Sequence, residues 1–137
     1  VEADGTTLSY CWAGHPPALL RKVATGEGVR LTGASGPVLG PVQRAECPDA
    51  TVRVEPGDIL VMYTDGLVER RGEDIDDGIT RAGRMMAGWD PGAPLDGACE
   101  ELPEALAPRP RSDDVCLLAV RFGAESVLVR VRSGGAT

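Results

Sequence analysis

One run narrows the folding options of this chain more than any other: Ile59 to Tyr63, inside "EPGDILVMYTDGLVER" (55–70). Five apolar or aromatic residues in succession are far too few to cross a bilayer. Bounded by "EPGD" and "TDG", they read as a fully buried strand. The strand ends directly on a carboxylate beside a glycine, Asp65–Gly66. Either the pair is only a turn, or the acid is there to hold something.

The turn in front of the run is well specified. Pro56 and Gly57 stand at its second and third positions, which suits a type II turn because glycine accepts positive φ. With "TVRV" (51–54) before it, the segment predicts a hairpin of 51–54 with 58–63. Upstream, "TLSYCWA" (7–13) alternates, with Leu8, Tyr10 and Trp12 on one face, as a half-buried strand does. "ALLRKV" (18–23), the turn "TGEG" (25–28) and "GVRLT" (28–32) predict a second hairpin. Residues 33–50 carry Gly, Pro, Ser and Asp with little periodicity and predict a long ordered loop.

Helix signals follow the buried run. Asp74 is placed to cap a helix whose first turn holds Asp76 and Asp77, complementing the helix dipole. Ile75, Ile79, Ala82 and Met86 form one apolar stripe, and Gly88 can end the helix. A second helix is expected over about 94–107, with Leu95, Ala98, Cys99 and Leu102 inward and a kink or restart at Pro103. "DDVCLLAVRF" (113–122) is another buried strand, "SVLVRVR" (126–132) a last alternating one, and "SGGAT" (133–137) a linker. Strands, then helices, then strands predict an α+β sandwich rather than a parallel α/β fold.

The 137 residues suffice for one domain with its own core, and with 42% hydrophobic but only 4% aromatic residues that core should be aliphatic. A net charge of −7 argues against nucleic acid and anionic lipid, which call for clustered Lys and Arg. No apolar run approaches membrane-spanning length. Cys11, Cys47, Cys99 and Cys116 form no CxxC pair and have no histidine partners at zinc spacing, so the chain reads as reduced and cytoplasmic. It starts without methionine, on "VEADGTTLSYCWAG", and is expected to be cut from a longer protein.

Two acidic positions are comparable. Asp65 stands just past one apolar strand and Asp113–Asp114 just before another. If those strands are antiparallel neighbours, both fall at one edge of the sheet, where converging carboxylates repel unless a cation compensates. Hard cations such as Mg²⁺ and Mn²⁺ favour such oxygen ligands. On spacing alone the plainer reading leads, because Asp-Gly is a common turn pair and Asp a common strand-end residue.

Four ordered blocks, "AGHPPALL", "SGPVLGPV", "VEPGDILVMYTDGLVERRG" and "RSDDVCLLAVRF", bear on that choice. Together, over about residues 7–122, they resemble the second half of a bacterial PPM-type (PP2C-like) serine/threonine phosphatase domain of the SpoIIE/RsbU subgroup. The resemblance implies a PP2C-like β-sandwich, antiparallel sheets flanked by helices, with the N-terminal part of the domain missing. It divides the chain into residues 1–123, the C-terminal portion of that domain, and 124–137, a final strand and linker.

It also implies a two-metal Mn²⁺ or Mg²⁺ centre. Asp65 and Asp113 match metal ligands, Asp114 either a group orienting a ligand or metal-bound water or a further metal ligand, and Gly66 the residue that lets the backbone turn closely around the site. No catalytic residue beyond the metal ligands is implied. His15, in "AGHPP", is expected to bond to backbone in a strand–turn element, near a possible substrate groove. The bridging-aspartate block of the family, of Asp-x-x-Gly-His-Gly type, is absent, so this chain alone is expected to have little or no activity. By the same resemblance the substrate would be a phosphorylated STAS-type anti-anti-sigma factor, and PAS or GAF sensor domains would lie upstream in the parent. The alternative is a degenerate, non-catalytic module that binds a partner through the same groove.

Overall fold

A computed structural model describes residues 7–33, 35–36, 50–108, 113–123 and 127–134. The strands are β1 (Thr7–Tyr10), β2 (Trp12–Ala13), β3 (Leu19–Arg21), β4 (Gly28–Arg30), β5 (Ser35–Gly36), β6 (Ala50–Arg53), β7 (Ile59–Tyr63), β8 (Val115–Phe122) and β9 (Val127–Gly134). A 3-10 turn at Asp65–Leu67 and the helices α1 (Ile75–Ala87) and α2 (Leu95–Leu106) lie between β7 and β8. The main sheet has the order β4-β3-β7-β8-β9, with every pair antiparallel.

β7 is the middle strand, and both of its faces are covered, as its unbroken apolar run demands. On one face Ile59, Val61 and Tyr63 join Leu19, Leu117 and Ala119 beneath Ile79, Ala82 and Met86 of α1 and Leu95, Cys99 and Leu102 of α2. On the other, Leu60 packs with Leu20, Val54 and Phe122, and Leu8, Tyr10 and Trp12 close over them. The layers are therefore helices, main sheet, and a pair of two-stranded sheets, β1–β6 and β2–β5. This is the α+β architecture read from the order of elements.

The expected hairpin of 51–54 with 58–63 does not form. The turn itself does: Gly57 has φ +96° and Asp58 N donates to Glu55 O at 3.0 Å. But β6 pairs with β1, whereas β7 pairs with β3 and β8, so the turn is a corner between two sheets. Asp58 explains why. Its fully buried carboxylate accepts from Val23 N (2.8 Å), Glu55 N (2.9 Å) and Lys22 Nζ, fastening the corner to the β3–β4 connection. Phe122 N and O complete the β7–β8 ladder at the same place, bonding Asp58 O and Gly57 N.

Other expectations meet the structure more directly. β3 and β4 form the second hairpin around Gly26 at φ +74°. "TLSYCWA" breaks at Cys11 into β1 and β2, which pair with different strands. The Asp74 side chain caps α1 by accepting from Asp76 N at 3.0 Å, and Gly88 ends the helix. Buried Arg21 secures that end, donating to Met86 O and Trp89 O at 2.7 Å each. α2 runs through Pro103 to Leu106. β9 extends through Ser133 and Gly134, two residues into the expected linker. Of the loop expected over 33–50, residues 34 and 37–49 lie outside the described residues. The expectation of a reduced chain fails at Cys11, which lies half-exposed in the break between β1 and β2 and is disulfide-bonded; Cys99 and Cys116 remain thiols. No helix among the described residues is long and apolar enough to cross a membrane.

Candidate metal centre

The register of β7 and β8 brings the two acidic positions together. Tyr63 stands opposite Leu117, so the chain leaving β7 at Asp65 meets the chain entering β8 at Asp113–Asp114. Gly66 sets how closely. It is buried, and a Cβ built on it would overlap the Asp114 carbonyl oxygen and lie 3.4 Å from the Asp113 Cβ. Asp65, Asp113 and Asp114 are all exposed at this edge.

Each of the three residues is anchored by hydrogen bonds. Asp65 opens the 3-10 turn, and its carbonyl accepts from Val68 N (3.0 Å) and Glu69 N (2.8 Å). The Asp113 carboxylate accepts from Asp114 N at 2.7 Å. The Asp114 carbonyl accepts from Thr64 Oγ1 at 3.2 Å. The exposed, oxygen-only donors at this edge suit a hard divalent cation. Among the described residues, no three His, Cys, Asp or Glu side chains gather to hold one.

Beside the acids lies a largely apolar groove of about 480 Å³, lined by Cys11, Trp12, His15, Met62, Tyr63, Thr64, Cys116 and Leu118. His15 is exposed at this groove, and its Nδ1 donates to Pro16 O at 3.0 Å. Tyr63 forms part of the wall. Its hydroxyl donates to Pro17 O at 2.8 Å, and burial pushes its pKa from 10.0 up to about 12 against the opposing effect of the Arg30 charge.

Sequence reading singles out Asp65, Gly66, Asp113, Asp114 and His15 and passes over Thr64. A threonine before a turn reads as a local cap, yet here the 3-10 turn receives no side-chain cap. The hydroxyl is engaged across the sheet instead, and no local sequence signal marks that use.

Comparison with known proteins agrees with this architecture. Residues 1–123 match the family described as Stage II sporulation protein E (SpoIIE). A solved structure of the RsbU and RsbW domains of Rv1364c from Mycobacterium tuberculosis superimposes with a TM-score of 0.71 at 29% identity, over 90% of this chain and 34% of that one. Protein IcfG of Synechocystis sp. is 28% identical over 72 residues, 52% of this chain. The chain spans only 11% of the length of that relative. With the family match extending over most of its length and an RsbU domain sharing its fold, the chain belongs to the SpoIIE family, in the SpoIIE/RsbU group of PPM-type phosphatase domains.

Proposed function

We propose that the chain is the C-terminal portion of a metal-dependent protein serine/threonine phosphatase domain, in which Asp65 and Asp113 hold Mn²⁺ or Mg²⁺. The observation that carries this reading is the convergence of Asp65 with Asp113–Asp114 at one sheet edge, across the close approach at Gly66. Membership of the SpoIIE family supports it.

In this reading residues 1–123 belong to the phosphatase domain and 124–137 supply a final strand and linker. Asp65 and Asp113 present carboxylate oxygens to the cations. Asp114 orients a ligand or a metal-bound water, and Gly66 keeps the two chain segments in contact. When bound, the cations lower the pKa of a water and neutralise charge on the phosphate. The groove beside the acids, with His15 on it, would take the phosphorylated segment of a protein substrate. The bridging aspartate of the family belongs to a block that these 137 residues do not contain, so the chain alone has little or no activity.

The partner follows from kinship. The solved neighbour carries an RsbU and an RsbW domain in one protein, which supports a place in sigma-factor regulation; the parent would then act in the cytoplasm. The substrate would be a phosphorylated STAS-type anti-anti-sigma factor, with PAS or GAF sensor domains upstream in the parent. The test is Mn²⁺-dependent hydrolysis of a phosphoserine protein by the parent, compared with Asp65→Ala and Asp113→Ala. Each substitution should lower turnover by more than about 100-fold, since even outer-shell changes reach that size. Undiminished turnover in either variant overturns the ligand assignment. A parent without any metal-dependent turnover would instead be a non-catalytic binding module.

A further inference from the structure

We propose that Thr64 is a positioning residue that sets the spacing between Asp65 and Asp113 by substituting its side-chain oxygen for its own carbonyl in the sheet. This rests on the metal-site reading above for its use, but its geometry stands apart from that reading.

In an antiparallel ladder a hydrogen-bonded residue pair exchanges two bonds, each N–H donating to the other residue's carbonyl. Thr64 and Cys116 are the next pair after Tyr63 and Leu117. Thr64 N donates to Cys116 O at 3.0 Å, as such a pair requires. The return bond is different: Cys116 N donates to Thr64 Oγ1 at 2.9 Å. The Thr64 carbonyl is occupied elsewhere, accepting from Leu67 N at 3.1 Å inside the 3-10 turn.

The hydroxyl therefore lets the chain do two things at one residue. β7 stays paired with β8 through Thr64, while the backbone carbonyl has already turned away to start the bend carrying Asp65. The same hydroxyl donates its proton to Asp114 O at 3.2 Å. Its acceptor and donor capacities are both used, each on the segment that carries Asp113 and Asp114. Gly66 lets the two backbones touch, and Thr64 decides the register at which they do. A residue without a hydroxyl at 64 would leave the half-buried Cys116 N–H without its partner.

The experiment uses the parent phosphatase domain, which supplies the bridging block, with Thr64→Val, which keeps the shape and removes the hydroxyl, and Thr64→Ser, which keeps the hydroxyl. The amide exchange rate of Cys116 reads the bridge, and Mn²⁺-induced broadening of resonances near Asp65 and Asp113 reads cation affinity. Thr64→Val should speed Cys116 exchange by about tenfold and weaken Mn²⁺ binding by about five- to tenfold, the size of one or two lost hydrogen bonds. Thr64→Ser should stay within about twofold of the wild type in both.

Asp58→Asn, at the other end of β7, controls for stability. It should lower the melting temperature without altering Mn²⁺ affinity. Unchanged Cys116 exchange in Thr64→Val, or equal loss of Mn²⁺ affinity in Asp58→Asn, overturns the positioning role. Should Thr64→Val fail to fold, Thr64→Ala supplies the same comparison. A wild-type parent domain that shows no broadening at Asp65 and Asp113 overturns the metal assignment, while the exchange rates still decide the role of Thr64.

Discussion

Gly66 and Asp114 are packed backbone against backbone: a Cβ on Gly66 would overlap the Asp114 carbonyl oxygen and lie 3.2 Å from its carbon. Neither side can yield easily, because Asp114 leads directly into β8 and Gly66 sits within the 3-10 turn. Gly66→Ala should therefore destabilise the chain by about 2 kcal/mol or more, the usual size of an overpacked contact. Urea denaturation of the two proteins measures it. The parent carrying the same change should lose metal-dependent turnover out of proportion to its lost stability, since the substitution spreads Asp65 from Asp113.

Two helical glycines should respond with opposite sign. Alanine is the better helix former by about 1 kcal/mol, and at Gly97 nothing lies within 4 Å of a new Cβ. Gly97→Ala should thus stabilise α2 by about 0.5–1 kcal/mol. At Gly78 in α1 a Cβ would overlap the Val68 carbonyl oxygen and come within 2.8 Å of its carbon. Gly78→Ala should destabilise by about 1–3 kcal/mol despite the propensity gain. Paired thermal melts distinguish packing from propensity here.

Asp58 is the buried polar anchor of the corner between β6 and β7. Asp58→Asn keeps the volume but removes the negative charge facing Lys22 and replaces one acceptor oxygen by a donor aimed at occupied N–H groups. The expected cost is about 3 kcal/mol, the range for a broken buried pair. A lowered urea midpoint with an unchanged slope would record that loss within a fold of unaltered compactness.

Tyr63 gives a pH signature. Its folded pKa, about 12, lies above its ordinary value of 10.0, so the folded state retains a proton that the unfolded state releases first. The sign follows: the contribution is fully present below about pH 10 and is lost as pH rises through about 12, with a full extent of about 2–3 kcal/mol. Tyr63→Phe forgoes the bond to Pro17 O, worth about 1 kcal/mol, at neutral pH. Denaturation at about pH 9 and about pH 11 should show the wild-type advantage shrinking, because the phenylalanine variant has no phenol to titrate.

Much of the architecture was legible because local chemistry and tertiary role coincide. Asp74 caps α1 for the same local reason that makes Asp a good cap anywhere, and Ile79, Ala82 and Met86 face the sheet because burial imposes that period, whereas Ile75, expected in the same stripe, stands exposed at the first turn. The turn at Pro56–Gly57 was equally legible, but its meaning was not. Turn residues specify backbone angles at four positions and say nothing about which strands pair beyond them, so a corner between sheets read as a hairpin. Asp58 was hidden for the same reason: an acid after Pro-Gly looks like turn polarity, and only the approach of Lys22 and Val23 makes it a buried anchor. At the candidate centre, antiparallel geometry sufficed to bring Asp65 and Asp113 to one edge. Thr64 was illegible because its partners, Asp114 and Cys116, lie some fifty residues away in sequence.

Both helices belong to a single excursion that leaves the main sheet after Thr64 and returns to it at Val115. β7 and β8 remain adjacent across its neck. Topologically the helical layer is a cassette, tied into the chain at two points only, and each of those points carries one of the candidate acids. The neck of the excursion is thus the one place where the covalent path into the helical layer and both candidate acids coincide, and β7 and β8 hold that place closed.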